Sequence, residues 1–203
     1  MKVALIGASG NIGSQILAEL RARGHSVTAI ARNPEKIAPA AGVTAVGADV
    51  ADEKALAAAL RGHDAVISAV RFRNFDPRAL LGAIKTSGVK RLIMVGGAGS
   101  LEARPGVQLI DTADFPEAYK PEAGAGRSAL NALRAEPSLD WTFLSPSAVI
   151  GPGARTGKFR LGKDAVLIGT DGKSRISIPD YAIALVDELE TPRHIRQRFT
   201  VGY

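Results

Sequence analysis

The stretch "GASGNIG" at residues 7–13 lies between the β-rich run "KVALI" and the helix-forming run "SQILAEL", and it constrains the fold more than any other feature of the chain. Glycine is required where the backbone takes a positive φ or must come into close contact with something else. Between a strand and a helix, the three glycines predict a tight turn at Gly7, close approach to a phosphate at Gly10, and close packing of the helix at Gly13. N–H groups at the start of that helix have no acceptor within it and would face the phosphate. A glycine triplet alone is weak evidence, but this one forms the first turn of the chain and heads a long βα series.

That series is read from periodicity. "SVTAIA", "VTAVGADV", "DAVISAV", "RLIMVGG", "DWTFLS" and "RQRFTVGY" are short apolar runs, as strands of a sheet covered on both faces should be. Between them, "NIGSQILAELRARG" places Ile12, Ile16, Leu17 and Leu20 on one helical face and stops at Gly24. "DEKALAAALRG" and "FDPRALLGAIKTSG" are helices closed by glycine, and "PEAGAGRSALNALRAE" is another. "PDYAIALVDELE" carries Pro179 in its first turn, with Ala182, Leu185, Val186 and Leu189 on its apolar face. The expected fold is a doubly wound α/β sheet in a single domain over residues 1–203. Loops 100–120 and 146–178 are expected to form a small substrate lobe, the second of them with at most one short strand.

Composition narrows the function. No cysteine is present, which removes disulfides, thiolate metal sites and cysteine nucleophiles, and no ligand spacing supports a metal. The net charge of +6 comes from bases interspersed with acids, which favours a solvated surface over a nucleic-acid face. No run approaches the roughly 18 apolar residues of a membrane span. A cytoplasmic protein, monomer or homodimer, acting on a small molecule is expected. His25 and His63 precede strands and His194 lies in a charged turn, so structural or solvated roles are expected for all three.

The G-x-x-G-x-x-G spacing, with "ARNPEK" after the second strand, "GADVAD" after the third, "ISAV" after the fourth, "VGGAGSL" after the fifth and "LSPSAVIGPG" after the sixth, resembles the atypical short-chain dehydrogenase/reductases. More narrowly, it is similar to the NAD(P)H-binding proteins related to NmrA and to the biliverdin-IXβ and flavin reductases. The resemblance covers nearly the whole chain and implies a Rossmann-type fold. It places cofactor contacts at Gly7, Ala8, Ser9, Gly10, Asn11, Ile12, Gly13, Asp49, Val50, Ala69, Val70, Gly96, Gly97, Lys120, Ser145, Pro146 and Ser147. Asp49 would hold the adenine amino group with Val50 along the ring, although Asp49 also reads as a helix cap, with Asp52 the better candidate for that role.

An NAD site usually has a carboxylate roughly 20 residues past the glycines to bind the ribose hydroxyls. This chain has Arg32 there, 19 positions after Gly13, with Asn33 beside it. A guanidinium can clamp a 2′-phosphate that a carboxylate would repel, so NADP(H) is expected to be preferred over NAD(H).

The catalytic set is incomplete. Better-known reductases of the superfamily use a serine after the fifth strand and a Tyr-x-x-x-Lys pair. Ser100 and Lys120 match two of these positions, but Pro116 stands where the tyrosine belongs. Tyr119 adjoins Lys120, and Pro121 is expected to hold Lys120 extended, so that the helix begins at Pro121. Tyr119, Lys120 and Ser100 remain the catalytic candidates, with Leu101, Asp111, Phe115 and Ala148 beside them as substrate contacts. The pattern suits hydride transfer to a small conjugated acceptor such as a quinone or flavin, for which solvent can supply the proton. The alternatives are an NmrA-like dinucleotide sensor without chemistry and, fitting less well, a sugar-nucleotide epimerase.

Overall fold

The computed structural model describes residues 1–203. In chain order its elements are β1 (Lys2–Ile6), α1 (Asn11–Ala22), β2 (Ser26–Ala31), β3 (Val43–Gly47), α2 (Glu53–Leu60), β4 (Ala65–Ser68), α3 (Pro77–Ser87), β5 (Arg91–Val95), β6 (Glu102–Arg104) and β7 (Val107–Gln108). They continue with α4 (Lys120–Arg134), β8 (Asp140–Pro146), β9 (Val149–Gly151), β10 (Arg160–Gly162), β11 (Arg175–Ser177), α5 (Ile178–Glu190) and β12 (Gln197–Gly202). Eight strands form one sheet in the order β10-β12-β8-β5-β4-β1-β2-β3. All neighbours are parallel except β10, which runs antiparallel to β12 at the edge. This is the Rossmann-type arrangement, with an antiparallel edge strand that the sequence reading did not anticipate.

The central strands β1, β4, β5 and β8 are largely apolar because both faces are covered. α1 and α5 cover one face, over a core of 23 buried residues that includes Leu5, Ile67 and Phe199. α2, α3 and α4 cover the other, over 22 that include Ile6, Met94 and Phe143. Such an even division covers both faces of the central strands, while the edge strands β3 and β10 stay largely exposed. Local signals fix the helix ends: Asp52 accepts from the Ala55 N–H and Ser177 from the Asp180 N–H, while α3 ends at Gly88 in the left-handed region (φ 86°).

Two expectations about the lobe need correction. Residues 146–178 hold three short strands, not one: β9 pairs with β11, and β10 joins the main sheet. Lys120 is helical (φ −54°, ψ −43°), and α4 begins at Lys120. A tight turn at Glu117–Tyr119 already points the backbone into the helix. The Glu122 carboxylate then anchors the first turn by accepting from the Phe72 and Arg73 N–H groups, which outweighs the steric bias that Pro121 places on its predecessor.

Several carboxyls are held below their ordinary range. Glu136 falls to about 2, first because the Ser138 hydroxyl donates to it, with Lys85 also close. Glu19 is lowered as well: burial pushes it up, but the Arg155 and Arg23 guanidiniums more than offset this. Folded-state values below those of the unfolded chain mean that the unfolded chain binds more protons as the solution is acidified. Stability from Glu136 is therefore present in full above its ordinary value of 4.5 and is lost as pH falls toward 2. Thermal melts between these limits should show a steep loss for the wild type and a shallower one for Glu136→Gln. Parallel curves would contradict the assignment.

Candidate functional site

The strand order reverses between β1 and β4: the connection from β1 leads outward to β2, and the connection from β4 leads the other way to β5. A crevice opens at the carboxyl ends of two strands arranged in this way. The glycine loop fills one side of it and the turn after β4 the other. They touch closely, since a Cβ on Gly7 would lie 2.8 Å from the Ala69 carbonyl oxygen, and Gly7 has φ 83°. A Cβ on Gly13 would lie 2.1 Å from the Gly7 carbonyl oxygen, so α1 packs directly on its own loop. Gly10 differs: its φ is −81°, and its nearest obstruction is 3.3 Å away. Its missing side chain leaves room on the solvent side.

Gly10 is also the N-cap of α1, so no side chain caps the first turn, and that turn contains no acid. The first N–H groups of the helix and the positive end of its dipole are left for an external anion. The cleft in front of them has a volume of about 240 Å³. Gly7, Ser9 and Gly10 line it together with Arg32, Asp49, Val50, Ala69 and Val70, so the geometry unites these eight of the candidates. Asp52 is the cap of α2, whereas Asp49 bonds only the nearby Ala51 N–H (2.9 Å) and faces the cleft. Arg32 is exposed and has no carboxylate partner.

The reading from sequence missed Ile6, Ile30, Ala31, Ala48, Arg71 and Asn74 in the lining. Arg71 matters most, because it sets a second exposed, unpaired guanidinium opposite Arg32. Its signal was position: it is the next residue after the "ISAV" strand end.

The remaining candidates lie outside this cleft. Ala8 is buried and packs in the α1 and α5 core with Ile12 against it, Asn11 opens α1, and Asn33 is exposed at the start of the turn after β2. Gly96 donates to the Leu144 carbonyl (2.8 Å), and Gly97 lies against the Phe72 ring. Pro146 ends β8, and Ser147 is fully buried, with its hydroxyl donating to the Val201 carbonyl (2.9 Å). Tyr119 is 67% exposed, and the Lys120 ammonium pairs with Glu117. Asp111 is tied to Arg127 at 2.9 Å. Ser100 and Ser145 are buried and joined by one guanidinium, that of Arg198, which the sequence reading overlooked.

The three histidines all find partners within the fold. His25 meets Glu190, His63 meets Thr28 and the Leu60 carbonyl, and His194 stacks on Phe199 beside Glu188. No cluster of potential ligands is present for a metal, and no helix is long and apolar enough to cross a membrane.

An uncapped helix start, two unpaired guanidiniums and a carboxylate line one cleft at the carboxyl ends of the strands. Comparison with known proteins identifies the family. The family model described as NAD(P)H-binding matches residues 7–190. A solved structure from Burkholderia pseudomallei, called an exported protein, is 48% identical with a TM-score of 0.91, and each chain is covered in full. One from Bacteroides thetaiotaomicron, called an epimerase, is 43% identical with a TM-score of 0.95, covering 100% of this chain and 96% of that one. A third, from Streptococcus pneumoniae, is called an NADH-flavin reductase; it is 36% identical with a TM-score of 0.83, covering 100% and 99%.

Proposed function

Because the chain belongs to the NAD(P)H-binding family and has the fold of the atypical short-chain reductases, we propose that it is a cytosolic, NADPH-preferring oxidoreductase that transfers hydride to a small conjugated acceptor such as a quinone or flavin. One observation carries the cofactor choice: Arg32 is unpaired in the same cleft as the glycine loop, at the place where an NAD site has a carboxylate. Arg71 adds positive charge from the opposite wall. The dinucleotide, when bound, supplies the hydride.

The chain's own residues do the rest. The start of α1 holds the pyrophosphate, Asp49 and Val50 take the adenine, and Arg32 with Asn33 takes the 2′-phosphate. Gly96, Gly97 and the backbone of Ser145, Pro146 and Ser147 border the nicotinamide end. Ser100, Tyr119 and Lys120 stand at the acceptor end. Tyr119 is too exposed to be a desolvated acid, so the proton comes from solvent and these residues orient the acceptor. The streptococcal relative called an NADH-flavin reductase supports this acceptor class.

The missing tyrosine at Pro116 favours a second reading, a dinucleotide sensor of the NmrA type that acts through a partner. Assay of NADPH oxidation with quinones, flavins and aldehydes separates the two: turnover supports the reductase, and silence across the panel with tight dinucleotide binding supports the sensor. Arg32→Ala should weaken NADPH binding by about tenfold or more, the worth of a hydrogen bond to a charged group, while leaving NADH nearly unchanged. Equal losses for both dinucleotides in a fluorescence titration would remove the 2′-phosphate assignment.

A further inference from the structure

Beyond the cofactor cleft, one buried charge links residues that the sequence treats as unrelated. β12 is covered on both faces: Phe199 and Val201 enter the α1 and α5 core, so Arg198 and Thr200 face the side of α4. The Arg198 side chain is only 4% exposed. Its Nε donates to Asp164 Oδ1 (2.7 Å), and Nη2 pairs with the same oxygen. Nη1 donates to the Ser100 carbonyl (3.3 Å) and reaches Ser145 Oγ (3.5 Å), and Nη2 also reaches the Ser100 carbonyl (3.4 Å).

Each partner lies in a different segment. Ser100 is in the loop after β5, Ser145 near the end of β8, and Asp164 just after β10. Asp164 extends the connection, because its carbonyl accepts from the Glu102 N–H (2.8 Å) while the Glu102 carbonyl accepts from Val166 (2.9 Å). No other group of the chain donates to the Ser100 carbonyl.

We propose that Arg198 is a positioning residue: its guanidinium fixes the lobe that holds the acceptor, setting the Ser100 loop and the 163–166 segment against the end of β8. This rests on the reductase reading for the identity of the bound molecule, but not for the linkage itself. A planar fork with five donors can serve a carboxylate, a carbonyl and a hydroxyl at once, which an ammonium at this place does less well. Burial excludes competing water, and the charge is balanced by Asp164, whose side chain is 53% exposed. Arg198 does not line the cofactor cleft. Its effect should therefore fall on the acceptor and spare the dinucleotide, since small displacements of positioning groups are costly only to the reactant they position.

The test compares Arg198→Met and Arg198→Lys with wild type, using NADPH with menadione and with FMN. In Arg198→Met the acceptor KM should rise about tenfold or more while NADPH affinity stays within about twofold, and Arg198→Lys should fall between the two. Hydrogen–deuterium exchange of the NADPH-bound protein should quicken in residues 98–104 and 163–166 of Arg198→Met and stay unchanged in β1 to β4. An unchanged KM with unchanged exchange overturns the proposal, as does NADPH affinity falling in step with a global loss of stability. If the wild type turns over neither acceptor, the reductase reading fails on its own, and exchange at the two segments decides whether Arg198 holds the lobe.

Discussion

Gly13→Ala should abolish dinucleotide binding and lower the melting temperature by roughly 10 °C, whereas Gly10→Ala should fold with the stability of the wild type. The added methyl at residue 13 would sit 2.1 Å from the Gly7 carbonyl oxygen, 2.9 Å from its carbon and 3.2 Å from the Ala8 Cα. All three are backbone atoms, so no rotamer change relieves the clash. α1 must move away from its loop, or Gly7 must leave its φ of 83° and with it the contact with Ala69. Overpacking of this kind costs about 3 kcal/mol, and each kcal/mol moves the melting temperature of a chain this size by about 2–4 °C. Either movement displaces the N–H groups at the helix start, so affinity falls even in molecules that remain folded. At Gly10 the same methyl meets only one atom, the Gly7 carbonyl oxygen at 3.3 Å, a contact that a shift of a few tenths of an ångström relieves. That variant isolates crowding of the ligand from damage to the fold: NADPH affinity should drop while the melt is unchanged. Calorimetric melts with NADPH titrations check both, and wild-type binding by Gly13→Ala would refute the packing argument.

The Gly7 turn and the close packing at Gly13 were legible because they are local. A strand, a tight turn and a helix follow one another within twenty residues, and the requirement at each glycine is backbone geometry that sequence expresses directly. The place of Arg32 in the cleft was legible for the same reason: it directly follows a strand end at a fixed distance from the loop. Arg71 was missed although it directly follows the β4 strand end, because only the reversal of strand order between β1 and β4 brings it opposite Arg32. Arg198 was hidden more deeply. Strand alternation shows which side it faces, but its partners lie at residues 100, 145 and 164, and no spacing rule links those positions. The Lys120 misreading has a different cause. The bias exerted by Pro121 is real, but small beside the anchoring of α4 by Glu122, which depends on residues fifty positions away.

Glu188 is the other long-range case, and its removal should unfold the protein most readily without touching the cofactor. On the apolar face read from sequence, α5 shows Leu185, Val186 and Leu189; Glu188 lies among them, 4% exposed. It accepts from Arg91 Nη2 (3.2 Å), from the His194 N–H (2.9 Å), from His194 Nδ1 (2.8 Å) and from the Arg193 N–H (3.2 Å). Arg91 in turn donates to Thr142 Oγ1 (2.7 Å) and the Asp140 carbonyl (2.9 Å), and burial lowers its pKa although Glu188 opposes this. Glu188→Ala strands a buried guanidinium and two backbone N–H groups, which costs about 3–5 kcal/mol. Urea denaturation should register this loss, with a fall in melting temperature on the order of 10 °C. Glu188→Gln keeps an acceptor for the backbone and should lose less. Replacing Arg91 and Glu188 together with methionine should cost less than the two single changes summed, because no charge is then left unpaired. NADPH affinity should hold in whichever of these variants folds: Arg91 opens β5 and Asp140 opens β8, so the cluster sits at the amino ends of the strands, opposite the cleft. A Glu188→Ala protein within about 1 kcal/mol of wild type would show that the cluster contributes little, since even an ordinary hydrogen bond contributes that much.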